Sequence, residues 1–404
     1  VGSEMCIRDS LNAVNMRWAE RARTQALALD DARPHADDAW PVFGGVPYLL
    51  KDLAAHDQGT TMSSGNVALK EAAPISDHDT ELVTRFRDAG LVNLGRTNSP
   101  ELGSLPVTEP LAWGPTRNPW DTDRTPGGSS GGAAAAVASG MVPIAHASDG
   151  GGSIRIPASC TGLVGLKPSQ GRITLAPERD ESGLSVALCV SRTVRDTAAL
   201  LDAVHGPGVG DSIMAAPPTR PYVEELGSNP GRLRIGLLDH HPTRDALHPD
   251  CVAAARAGAT MLEQLGHHVE PAFPAVLADP TFTHRFMAMW ATNMAIGVDT
   301  MGDTLGRPLT EDEVEPVNWA QAQWARALSA VEYAEGLVAV MEFRRSLRAW
   351  WDVDGWDLLV TPTLAEPPVR IGEHLATPDD PMAGMKRAAE FVGFTPPFLS
   401  LIHI

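Results

Sequence analysis

The sequence predicts an α/β fold, on three observations. The run Tyr48-Leu49-Leu50-Lys51-Asp52-Leu53 is apolar without polar alternation, as in a strand covered on both faces, and carries a single lysine. A helical pattern over Asp79–Ala89 stops at Gly90 and gives way to the short strand Leu91-Val92-Asn93-Leu94. The same rhythm recurs where the alanine-rich Gly131–Gly140 precedes the apolar stretch Met141–Ala147. With 404 residues, 43% of them hydrophobic, the chain can bury a large core, so the sheet is expected to be largely covered.

Taken in order, Leu11–Leu29 has apolar residues at helical spacing among Arg, Glu and Gln, and predicts an amphipathic helix. Asp30–Pro41 and Gln58–Asn66 read as polar loops, the second following the lysine-bearing strand. Arg117-Asn118-Pro119-Trp120 is a turn ahead of Thr125–Arg155, a stretch with two serine-bearing glycine clusters. Cys160–Lys167 continues it with glycine-punctuated apolar residues. Arg192–His205 predicts a helix, Gly206–Pro221 a Pro/Gly-rich loop, Leu233–Leu238 a strand, and Cys251–Leu265 a helix closed by Gly266. His268-Val269-Glu270 begins another strand, and Asp357–Val360 is a strand running into Thr361-Pro362-Thr363. Phe282–Asp299 and Ser329–Trp351 are helical and rich in Met, Phe and Trp, a content that suits core packing as well as an apolar pocket.

The two ends read as foreign. Val1–Ser10 (VGSEMCIRDS) and Leu399–Ile404 (LSLIHI) match the translation of a transposon-end adapter, and are set aside from fold reasoning. The expectation is one large domain over 11–398, an internal fragment cut at both ends, with no repeat and no compositional break.

The formal net charge of −18 argues against nucleic acid and anionic membrane surfaces as partners, and no apolar run is long enough to span a bilayer. A small-molecule substrate is left as the expected partner, with a homodimer as the candidate assembly. Cys160, Cys189 and Cys251 are widely spaced and form no CxxC, which suits free thiols in a reducing, cytoplasmic setting. The 13 histidines show no HExxH or Cys/His ligand spacing, so no metal is expected. Pairs such as His240-His241 and His267-His268 read as polar residues flanking strands.

Chemistry concentrates in Thr125–Arg155. Ser129 stands where a helix N-terminus is predicted, and Ser153 follows a strand, 24 residues later. Both are places where backbone N–H groups face an anion. A serine needs a base to become a nucleophile. No histidine stands in a recognisable triad motif, which leaves lysine. The chain has only four lysines: Lys51, Lys70, Lys167 and Lys386. Lys51 alone ends an apolar run, where burial lowers its pKa toward that of a useful general base. It could equally be a structural ion-pair residue beside Asp52. Gly150-Gly151-Gly152-Ser153 offers successive N–H groups for an oxyanion, or simply a glycine-rich turn. Gly127–Gly131 formally matches the G-x-S-x-G nucleophile elbow, but the partner Asp and His are not placed. There is no phosphate-loop motif, and no GxGxxG after a strand.

Read together, these pieces resemble the amidase signature family of serine hydrolases. The resemblance rests on Gly45-Val46-Pro47 with Leu50-Lys51-Asp52-Leu53, on Leu94-Gly95-Arg96-Thr97-Asn98 with Pro100-Glu101, and on Gly114–Trp120. It continues through Gly127–Gly132, Ser148–Arg155, Gly162–Pro168 and Thr361-Pro362-Thr363. It implies a large mixed, twisted β-sheet covered by helices on both faces. It also implies a triad in which Ser153 is the nucleophile, Ser129 the bridging serine after a cis peptide, and Lys51 the base. Gly150, Gly151, Gly152 and the Ser153 N–H would bind the oxyanion, Asp149 and Arg155 would support the loop, and Ser130 would add a donor. No cofactor is implied. The expected reaction is hydrolysis of a carboxamide through an acyl-enzyme. Within the family, Tyr48–Leu53, Thr108–Gly114 and Gly306–Asp312 look most like hydrolases of the 6-aminohexanoate cyclic dimer, with pocket residues expected between Phe282 and Met301. Two other readings are the A subunit of a tRNA-dependent amidotransferase and a catalytically dead scaffold; the latter should lack a triad member.

Overall fold

The computed structural model of the chain describes residues 10–32, 40–178, 183–244, 247–377 and 379–398. The adapter-like stretches 1–9 and 399–404, and the middle of the predicted loop at 33–39, lie outside the described residues.

Six strands make a mixed sheet: β1 (Val14–Arg17), β2 (Pro47–Lys51), β3 (Val92–Thr97), β4 (Ile144–Asp149), β5 (Val164–Gly165) and β6 (Val186–Ser191). Their order is β1-β3-β2-β4-β6-β5. The central strand β2 runs parallel to both β3 and β4, while β1, β5 and β6 pair antiparallel. The unbroken apolar run of β2 follows from that place, because Tyr48, Leu49 and Leu50 are buried between covering layers.

The helix predicted over Leu11–Leu29 is shorter than its pattern. Its first part is strand β1, paired with β3 so that Val14 lies opposite Thr97 and Arg17 opposite Gly95. The Trp18 N–H donates to the Leu94 carbonyl at 3.0 Å, and helix α1 (Ala19–Asp31) starts only there. The open edge of β3 presents backbone groups that need partners, and this tertiary demand outweighs local periodicity. Gly95 is required at the pairing: at φ +154°, a Cβ there would stand 2.0 Å from the Met16 carbonyl oxygen.

Five further helices serve this sheet: α2 (Val67–Ala72), α3 (Glu81–Asp88), α4 (Gly131–Ala138), α5 (Arg155–Thr161) and α6 (Val194–Val204), followed by the single turn α7 (Tyr222–Glu225). Every residue of α4 is buried, and it packs against β2, β3, β4 and β6. A helix apolar on all sides belongs in the core, and its Gly/Ala surface lets it lie close to the strands.

A second, three-stranded sheet contains β7 (Arg234–Leu237), β8 (His268–Pro271) and β9 (Leu358–Val360) in the order β8-β7-β9, all parallel. Helix α8 (Pro249–Gln264) makes the β7–β8 crossover and stops before Gly266, as its pattern predicts. Three long helices, α9 (Phe282–Leu305), α10 (Pro316–Ala327) and α11 (Ala330–Asp352), pack on one another through α9. A reciprocal Ser329/Glu332 capping box starts α11. Sequence reading missed α2, α5, α10, strand β6 and the late helix α12 (Ala383–Phe391). Glu315-Pro316 is the signal that could have announced α10, since proline is favoured in the first turn. Among the described residues, no helix is long and apolar enough to cross a membrane. Cys160 and Cys189 are buried free thiols and Cys251 a half-buried one.

Candidate active site

Strands β2 and β4 are parallel neighbours, and their C-terminal ends open onto one place. This is where open α/β sheets put their ligands. β2 delivers Lys51 and β4 delivers Ser148 and Asp149. The N-terminus of α4 brings Ser129 and Ser130 to the same ends, and the Gly150–Ser153 loop closes the site before α5.

Lys51 is fully buried. Its Nζ lies 2.6 Å from Ser129 Oγ and 3.0 Å from Ser148 Oγ. Burial pulls its pKa down to about 7, against the attraction of the Asp149 carboxylate. An amine that shares its proton near neutrality, hydrogen-bonded to a hydroxyl, is equipped for proton transfer. Asp52, the alternative ion-pair partner, makes none of the hydrogen bonds of Lys51 Nζ. Its carboxylate instead accepts from Asn15 Nδ2 at 3.0 Å and the Ser63 N–H at 2.8 Å. The backbone of Lys51 is held as well: Arg96 Nη1 donates to its carbonyl at 2.9 Å, and its N–H donates to His146 Nδ1 at 3.3 Å.

The Gly128–Ser129 peptide is cis. Ser130 Oγ, behind Ser129, donates to the Ser148 carbonyl at 3.2 Å and accepts from the Ser148 N–H at 3.3 Å. The loop after β4 is wrapped around Asp149. This carboxylate accepts from the N–H of Gly152 at 2.7 Å and of Ile154 at 3.2 Å. Arg155 completes it with two bonds of 2.8 Å, from Nε and Nη2. Burial would raise the Asp149 carboxyl, but the Arg155 guanidinium and these donors outweigh it and hold it below the ordinary carboxylate range. From the other side, Thr395 Oγ1 donates to the Gly151 carbonyl at 2.6 Å, and its own carbonyl accepts from Arg155 Nη1 at 2.8 Å.

This geometry corrects one expected role. The Gly152 N–H is directed at Asp149, so it belongs to the loop's support and not to a row of oxyanion donors. Among the described residues the N–H groups of Gly150, Gly151 and Ser153 have no protein acceptor. Lys167, a further buried lysine, donates to the Pro168 carbonyl at 2.6 Å, which fits its structural reading.

Ser153 stands where two cavities meet, of about 620 Å³ and about 370 Å³, and both are also lined by Gly103 and Trp290. The larger is walled by Phe282, Phe286, Met287 and Trp290 of α9 together with Met382 and Met385. The smaller holds Ser129, Ser148 and Gly150, and α9 contributes Asn293, Met294 and Ile296. The aromatic and Met content of Phe282–Met301 therefore serves core and cavity together. Trp290 Nε1 is a buried donor with no acceptor among the described residues. Sequence reading missed two contributors, Ser148 and Trp290. The first needs the parallel register of β2 against β4, and the second needs α9 laid across the Gly150-Gly151 loop.

A family model described as Amidase matches residues 6–400. A 6-aminohexanoate-cyclic-dimer hydrolase of Paenarthrobacter ureafaciens is 41% identical over 379 residues, covering 91% of this chain and 77% of that protein. A solved structure of a 6-aminohexanoate cyclic dimer hydrolase is similar at TM-score 0.92 and 39% identity, over 98% of this chain and 82% of its own. A bacterial aryl acylamidase of the amidase signature enzymes is similar at TM-score 0.81 and 27% identity, over 97% of this chain and 84% of its own.

Proposed function

The chain belongs to the amidase signature family and is an amidase, and from that premise we propose that it hydrolyses a non-peptide carboxamide, linear or cyclic, through an acyl-enzyme on Ser153. The observation that carries this reading is the 2.6 Å hydrogen bond between buried Lys51 Nζ and Ser129 Oγ, beside the cavity-lining Ser153.

Ser153 Oγ attacks the carbonyl carbon while Ser129 takes its proton and passes its own to neutral Lys51. The carbonyl oxygen gains negative charge and is met by the N–H groups of Gly150, Gly151 and Ser153, which are already oriented. Asp149 and Arg155 keep that loop in shape. The proton held on Lys51 returns through Ser129 to the leaving nitrogen as the C–N bond breaks. Water then enters by the same relay and releases the acid. The two cavities divide the substrate, the larger apolar one taking the acyl chain and the smaller one the amine. The likeness to the cyclic-dimer hydrolase supports an aliphatic, ω-amino acyl group. The amidotransferase reading is set aside, since the solved structures reported above are of hydrolases and an acylamidase.

Ser153→Ala is expected to lower amide turnover by about 10⁴-fold or more with an unchanged melting temperature. Hydroxylamine added during turnover by the unsubstituted chain should divert the acyl group to a hydroxamate. Full activity in the variant, or no hydroxamate with an amide that is turned over, refutes the acyl-enzyme. A screen of aliphatic, aryl and cyclic amides then identifies the acyl class.

A further inference from the structure

We propose that His56, His78 and Glu178 form a binding site for a divalent transition-metal ion of the zinc class, on the wall of the cavity that also holds Ser129 and Ser153. One ligand atom from each of the three lies within 4.8 Å of the other two. Around a tetrahedral ion with bonds of about 2 Å, such atoms stand roughly 3.3 Å apart, so small side-chain rotations complete the site. The closest pair is already near that value, with His56 Nε2 at 3.8 Å from a Glu178 carboxylate oxygen.

The two rings are prepared for this. His56 Nδ1 is 3.1 Å from Ser76 Oγ, and His78 Nδ1 is 2.7 Å from an Asp77 carboxylate oxygen. A second partner on one ring nitrogen is the usual way to fix the tautomer that offers the other to a metal. Here it leaves Nε2 on both histidines. The rings are stacked, centroids 4.5 Å apart and planes 28° from parallel, which puts the two Nε2 edges on one side. His78 Nε2 is buried and has no hydrogen-bond partner among the described residues, an orphan that an ion would satisfy. Burial, helped by neighbouring His78 and Arg96, holds the His56 ring neutral down to about pH 4, so protons do not compete for it at neutral pH. Burial also raises the Glu178 carboxyl, which a bound cation would reverse. The side chains of His78 and Glu178 are both 42% exposed, which gives the ion a way in.

Two imidazoles and one carboxylate suit zinc and its neighbours rather than magnesium or calcium, and leave an open coordination position. His56 and Glu178 line the cavity, so that position is available to a polar group there. The histidine spacing in the sequence conceals the site, because its ligands come from the loop after β2, the approach to α3 and the segment before β6.

The test is calorimetric titration of the chelator-treated chain with zinc chloride, with magnesium chloride as control. One zinc per chain is expected, weakened about tenfold or more in each of His56→Gln, His78→Gln and Glu178→Gln. Circular dichroism melts show whether each variant is folded. The unsubstituted chain also decides by itself: one equivalent of Co²⁺ should give visible d–d bands and paramagnetically shifted ring signals from two histidines. The proposal is overturned by no saturable zinc binding, by binding that all three folded variants retain, or by cobalt that shifts no histidine pair.

Discussion

At Lys51 one methylene chain ends in the core, and its surroundings decide what it can do. With the pKa pulled to about 7, the ammonium form dominates at lower pH and cannot accept a proton. The sign is therefore fixed: kcat/KM should rise about tenfold per pH unit up to about pH 7 and then level. A pH–rate profile checks this, and a flat profile from pH 5 to 8 would refute Lys51 as the base. Lys51→Arg should be inactive, because a guanidinium keeps its proton across this range. Asp149 works through the loop. Replacing it by Asn removes the charge that Arg155 meets with two bonds, and should cost about 3–5 kcal/mol in urea unfolding. Its folded carboxyl titrates below the unfolded value. Its contribution to stability is thus complete above the ordinary carboxylate range and lost as pH falls through the lowered folded value.

Among the elements, the turn from β4 into α5 has the least tolerance. Gly152 has φ +140°, and a Cβ there would meet Thr395 Oγ1 at 2.2 Å and Ile156 Cδ1 at 2.6 Å. Gly152→Ala should therefore destabilise the fold by about 1–3 kcal/mol in thermal unfolding, and lower kcat more than it raises KM. An unchanged kcat would mean that the loop recovers its donors without the bond from Gly152 to Asp149. Helix α4 carries a different constraint. Its small residues let the N-terminus that bears Ser129 reach the end of β2, so packing and catalysis make the same demand on the alanine run.

For the molecule as a whole, the decisive arrangement is α9 laid over the glycine loop of the sheet. A Cβ on Gly150 or Gly151 would stand 3.5 or 3.7 Å from the Trp290 ring. Trp290→Ala should merge the two cavities, raising KM for an aliphatic amide about tenfold and admitting bulkier acyl groups. Trp290→Phe, which keeps a ring and removes the unpartnered Nε1 donor, separates shape from hydrogen bonding. Equal KM values for the native chain and both variants would exclude Trp290 from substrate binding.

The sequence by itself determined the α/β class, most strand and helix positions from Tyr48 to Val204, and the membership that unites Lys51, Ser129 and Ser153. These are legible because burial on a central strand, helix stops at glycine and glycine-serine clusters are local patterns. What only the tertiary structure decided depends on contacts between distant segments. The pairing of Val14–Arg17 with β3 overrode a helical pattern, because an open strand edge must be satisfied. The parallel register of β2 and β4 brought Ser148 to Lys51, and the Asp149 carboxylate claimed the Gly152 N–H. The meeting of His56, His78 and Glu178 follows the same rule. A hydrogen bond or ligand set across such separations in sequence is fixed by the packing of layers, and no local spacing encodes it.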